Sequence, residues 1–137
     1  MKSSLIVFTC VLLLAATGAF AQGAGPTDPQ IAHIVVTANQ VDIDAGKLAE
    51  QKGSSKEVRD FGKMMVTDHT AVNKSATDLA GKLGLAPQDN ATAQSLKKGG
   101  EDNLAHLQTL QGAALDKAYV DQRWRTTRRC STPWTRR

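Results

Sequence analysis

The stretch from Ser54 to Gly84 constrains this chain more than any other. Val58, Phe61, Met65, Val72 and Leu79 recur at steps of three and four residues, apart from one wider gap and a polar Ser75. That spacing predicts a long helix with one face packed in a bundle. Ser54 stands three residues before Glu57, the pattern of a capping box at the helix start. Gly84 suits the left-handed turn that ends a helix, and Pro87 follows it. Asp68 falls in the gap of the stripe, between Met65 and Val72, so this reading turns a carboxylate toward the core.

A second helix precedes it. Asp28 is the expected N-cap, with Pro29 at the first helical position. Ile31, Val35, Ala38, Ala45 and Ala49 share a face, and Asp42 lies within it. The link at Gly53-Ser54 is short enough to force an antiparallel hairpin. At about 1.5 Å per residue, Asp42 lies about 15 Å back from the turn and Asp68 about 20 Å beyond it. The two acids are therefore expected at similar heights. A third helix is expected over Ala93 to Leu110, on Leu96, Leu104, Leu107 and Leu110, and a fourth from Ala113 with Leu115, Asp116, Tyr119 and Val120. Four helices joined by short links predict an all-α, up-down four-helix bundle.

The two ends of the chain read differently from its middle. Residues 1–21 combine Lys2, an apolar run from Leu5 to Ala16 and the small-x-small site Ala19-Phe20-Ala21. This is the pattern of a secretory signal peptide, with an apolar run too short to span a bilayer. Residues 22–27 read as a flexible leader, and 28–122 as the bundle. Nothing after the signal peptide is apolar enough for a membrane-spanning helix. The expected location is the periplasm or the extracellular space. The net charge of +4 is misleading, because six of the seven arginines lie between Arg123 and Arg137. Between Gln22 and Gln122 thirteen acids outnumber ten basic residues, so no nucleic-acid partner is expected, and a weaker reading of binding to nucleic acid or an anionic membrane would rest on the arginine-rich tail alone.

Residues 123–137 break the helical pattern with a run of Arg, Thr, Trp and Pro. The same amino acids can be back-translated so that a one-nucleotide shift yields EVAYHQAVLDAVDKT. That string is amphipathic and continues the fourth helix in phase with Tyr119. A single-nucleotide deletion after Gln122 is therefore expected, leaving the fourth helix truncated or disrupted. Sequencing the DNA there tests it, and an intact frame through the arginine-rich run would refute it.

Three segments carry a family resemblance: Asp42-Ile43-Asp44-Ala45-Gly46-Lys47-Leu48-Ala49, then Val58 through His69, then Gly112 through Val120. Between Ile31 and Val120 the chain resembles the domain of unknown function (DUF) 4142 family. The resemblance implies a ferritin-like four-helix fold and export, and members are often labelled predicted outer-membrane proteins. The family usually has Glu where Asp42 stands and Phe where Leu115 stands. It also carries a histidine at the place Thr127 occupies, where the shifted string has one.

Asp42, Asp68, His69 and Asp116 are the candidate site residues. A buried acid needs a partner or a cation, and ferritin-like bundles hold metals on inward carboxylates and histidines. Iron, manganese or zinc would be the metal. Against this, Glu-x-x-His is absent from the sequence. Asp68 and His69 also diverge by about 100° around a helix. The competing expectation is a structural polar network involving Tyr119. His33 and His106 read as surface residues, and Met64 and Met65 as core filler. Beyond the signal peptide Cys130 is the one cysteine, so an internal disulfide is excluded. No nucleophile elbow or phosphate-cradling loop is present. The leading expectation is a non-enzymatic envelope module with an unknown partner; the alternative is a metal-binding or oxidoreductase protein.

Overall fold

The computed structural model describes residues 25–131, with side chains through Thr126. The expected signal peptide, most of the leader, Cys130, Trp134 and the last arginines lie outside the described residues and side chains. Four helices follow one another: α1 (Asp28–Lys52), α2 (Lys56–Lys82), α3 (Ala91–Gln108) and α4 (Gly112–Ser131). The fold is an all-α four-helix bundle, and among the described residues it contains no strand.

Local chemistry sets each helix boundary. The N-cap of α1 is Thr27, one residue before the expected Asp28, and its N–H donates to Gln30 Oε1 at 3.0 Å. The N-cap of α2 is Ser55, not Ser54, and its hydroxyl accepts from the Val58 N–H. Asn90 caps α3 by accepting from the Ala93 N–H at 3.0 Å. Gly84 takes a φ of +66° just past α2, as its position predicts, and Leu85 N–H returns to Ala80 O at 2.9 Å. α4 does not stop at Gln122 but carries the helix on to Ser131.

The α1–α2 hairpin is the most extensively packed pair of helices. Its contact line explains where the expected stripe was misplaced. The residues that α2 buries or half-buries are Val58, Arg59, Phe61, Gly62, Met65, Val66, His69, Asn73, Ala76 and Ala80. Two of the expected stripe residues, Val72 and Leu79, are instead 47% and 57% exposed. The real seam is rotated toward the small residues, because small residues let two helix backbones approach. A Cβ added at Gly62 would lie 2.7 Å from Gly46 O and 2.7 Å from Glu50 N. Asn73 Nδ2 donates across the same line to Val36 O at 3.3 Å.

The apolar core gathers at the turn end of the hairpin. Ala45, Leu48 and Ala49 of α1 pack with Val58, Leu107, Leu115 and Tyr119, flanked by Phe61, Leu104, Leu110 and Ala118. Phe61 and Tyr119 meet with ring centroids 5.8 Å apart, tilted by 59°. α3 lies along α1, with Gly100 against Val41, so that any Cβ there would meet the valine methyls. Leu96, expected in the core, is 38% exposed. The outward faces carry i,i+4 pairs such as Lys74–Asp78 and Lys98–Asp102, which add little stability each.

Candidate functional site

One polar cluster interrupts the packing between α1, α2 and α4. Asp42, in the middle of α1, is half-buried on the face that α4 covers. Arg123 of α4 donates from Nη1 to Asp42 Oδ1, and both side chains are about 15% exposed. Asp42 Oδ2 lies 3.5 Å from His69 Nε2. The other imidazole nitrogen, Nδ1, is 2.6 Å from Asn39 Oδ1, and Asn39 is itself buried. The carboxylate is thus held between a guanidinium and an imidazole. A half-buried acid requires such pairing to stay ionised without a large desolvation cost.

Tyr119 stands beside this cluster without joining it. Its ring is fully buried, yet its hydroxyl has no hydrogen-bond partner. Burial pushes its pKa up to about 12; Asp42 adds to the rise and Arg123 opposes it. The expected polar network through Tyr119 is therefore not formed by this residue, which serves the apolar core through Phe61. An open cleft of about 870 Å³ runs between α3 and α4, with Ala38, Val41, Ala45 and Tyr119 on its floor and Arg123 and Arg125 on its rim.

The four expected site residues occupy three separate places. The height comparison put the right levels together, since residue 69 meets residue 42 across the hairpin. The direction was wrong by one residue. His69 turns toward Asp42, while Asp68 is exposed to solvent. Successive helical residues point about 100° apart, so rotating the seam toward Gly62 and Met65 brings in His69 and swings Asp68 out. Asp116 is elsewhere, at the turn. Its carboxylate accepts from Ser54 N–H at 2.8 Å, Ser54 Oγ at 2.7 Å and Ser55 N–H at 2.9 Å. These bonds, the Ser54 hydroxyl foremost, lower its pKa to about 2.

Among the described residues no three His, Cys, Asp or Glu side chains come together to hold a metal ion. Asp42 and His69 supply two donors, and a guanidinium already occupies the carboxylate. The described residues by themselves do not make up a ferritin-like metal centre. His33 lies 3.6 Å from Asp89 near the start of α1, and His106 is exposed on α3. Met65 is buried as core filler, but Met64 is 48% exposed.

Sequence reasoning missed Asn39 and Arg123. Asn39 precedes the DUF4142-like motif and has no pattern of its own. Arg123 belongs to a run set aside as aberrant. Its spacing of four from Tyr119 was the available signal, because that spacing continues the inward face of α4.

The family model described as "Domain of unknown function (DUF4142)" matches residues 14–131. No curated protein and no solved structure matches the chain. Among the described residues no helix is long and apolar enough to cross a membrane.

Proposed function

The chain belongs to the DUF4142 family, and we propose that it is an exported helical-bundle protein of the periplasm or cell envelope, a structural or interaction module rather than an enzyme. One observation carries the non-enzymatic half. The inward carboxylate of Asp42 is already paired with the Arg123 guanidinium and flanked by His69, so it is engaged in holding α1, α2 and α4 together. The remaining candidate acids serve elsewhere: Asp116 at a helix start, Asp68 in solvent. The export half rests on the leader at residues 1–21, whose charged start, apolar run and small-residue site are those of a cleaved signal.

Expressing the full chain with its own leader in a Gram-negative host tests both halves. The protein should appear in the osmotic-shock fraction with the intact mass of a chain beginning at Gln22. Reconstitution with iron, manganese or zinc should leave far less than one metal per chain. Full-length protein held in the cytoplasm would remove the export half. One metal per chain, lost on Asp42→Ala or Asp68→Ala, would instead establish the metal-binding or oxidoreductase reading.

A further inference from the structure

α3 lies close to α1 and stands away from α4. Gly100 sets the close side, since a Cβ there would lie 2.4 Å from a Val41 methyl. Gly99, one residue earlier, faces open space, with nothing within 4 Å of where its Cβ would stand. α3 also packs far more extensively on α1 than on α4. The cleft of about 870 Å³ is the space so left. Its floor is made by short side chains of α1, Ala38, Val41 and Ala45, and the wall from α3 includes Ser95 and Gly99. None of these can reach across to α4. Leu96, on the same wall, keeps 38% of its surface exposed.

The shape is that of a groove. Ser95 to Asn103 spans about 12 Å of α3, and Tyr119 to Thr126 about 10 Å of α4, at about 1.5 Å per residue. A mostly apolar floor with a few polar groups around it is the usual make-up of a small-molecule site. The space suits one unbranched chain lying along the helices. A concave floor about one chain long fits a dissolved monomer better than a bilayer surface.

The charge on the lining is unbalanced. Its ionised side chains are Asp42, Arg123 and Arg125. Asp42 and Arg123 pair with each other and are mostly buried. Arg125 is exposed at the rim and forms no ion pair among the described residues. Asp121, one turn back on α4, is held by Lys117. One positive charge is thus left over at the edge of an apolar floor. That complements a ligand with a single negative charge at the end of an apolar body, because a guanidinium fork matches a carboxylate. A cationic head would meet Arg125 as a like charge. A dianion would exceed the one spare charge and also face Asp42. Tyr119 lines the same cleft, and its buried hydroxyl, which has no hydrogen-bond partner, is an unused donor at the floor.

We propose that the cleft between α3 and α4 is a binding site for a free single-chain alkyl carboxylate, with its chain along Ala38, Val41 and Leu96 and its carboxylate on Arg125. The site requires no catalytic step and does not depend on export.

Isothermal titration of the full chain with decanoate, kept below its micelle-forming concentration, tests it. Decanoate should bind saturably at one per chain, decanol more weakly, and decyltrimethylammonium not measurably. Gly99→Leu fills the open wall and improves helix propensity, so it should fold at least as well while raising the Kd about tenfold or more, the factor that corresponds to losing about 1.4 kcal/mol. Arg125→Glu, at an exposed position, should weaken decanoate by about tenfold. Lys63→Glu, an equal change of charge on the outer face of α2, should leave the Kd unchanged. Circular dichroism melts of all three variants establish that each is folded. Absence of saturable binding, equal affinity for all three decyl compounds, or an unchanged Kd in folded Gly99→Leu overturns the proposal. So does sedimentation with phosphatidylglycerol vesicles, unaltered by Gly99→Leu, in a chain that does not bind decanoate; that result would assign the basic rim to a membrane surface instead.

Discussion

Asp116 acts as a second cap on α2. Ser55 satisfies one N–H inside the first turn, while Asp116 reaches over from α4 to the N–H groups of Ser54 and Ser55. A carboxylate there also faces the positive end of the helix dipole. Asp116→Ala should cost about 1 kcal/mol after allowance for solvent screening, read as a lower melting temperature. The folded pKa of about 2 lies below the ordinary carboxylate value of 3.8, so the contribution is complete above about pH 4 and is lost as pH falls toward 2. The gap in melting temperature between the native chain and Asp116→Ala should close over that window; a gap constant from pH 7 to pH 2 would show that the carboxylate's charge is irrelevant. Tyr119 presents the opposite case. Its buried hydroxyl bonds nothing, so Tyr119→Phe removes a desolvation cost without removing a bond. The variant should melt at or above the native temperature, and a loss of more than about 4 °C would reveal a partner for the hydroxyl.

At the scale of helices, small residues decide how α1 and α2 face each other. Gly46 and Gly62 lie where the two backbones come closest. Alanine at position 62 would gain about 1 kcal/mol in helix propensity. It would also drive a methyl into backbone atoms that have no rotamer to escape through, and such overpacking costs about 1–3 kcal/mol. Gly62→Ala should therefore destabilise, whereas Gly99→Ala, with open space around it on α3, should stabilise by about 0.5–1 kcal/mol. Denaturant midpoints of the two variants would read these opposite signs, and a stabilising Gly62→Ala would contradict the close approach. The same pair of glycines shows what was legible beforehand. The existence of all four helices, the hairpin and the left-handed Gly84 followed from periodicity and punctuation. The rotation of α2 did not, since a stripe drawn through large apolar residues overlooked Gly62, Ala76 and Ala80 as contact residues. That one rotation turned Asp68 outward and His69 inward. It also moved the expected pair of acids to an acid–imidazole pair with Asn39 behind it.

Among the described residues, the bundle is closely packed at its turn end and more exposed at the other. The turn end contains the apolar cluster, the Asp116 cap and the Asp42–Arg123 pair. The far end leaves Val72, Leu79 and Leu83 largely in solvent. Composition alone indicated a break after Gln122, but it could not show that Arg123 would remain in the helix and find Asp42, because a tertiary pairing 81 residues apart leaves no local trace. The most direct measurement is amide hydrogen exchange along α2, resolved by residue. Helical amides are protected in proportion to the free energy of the opening that exposes them. The account predicts strong protection from Phe61 to Val66, against the core, and much faster exchange from Val72 to Lys82 on the same helix. Uniform protection along the full length of α2 would contradict it.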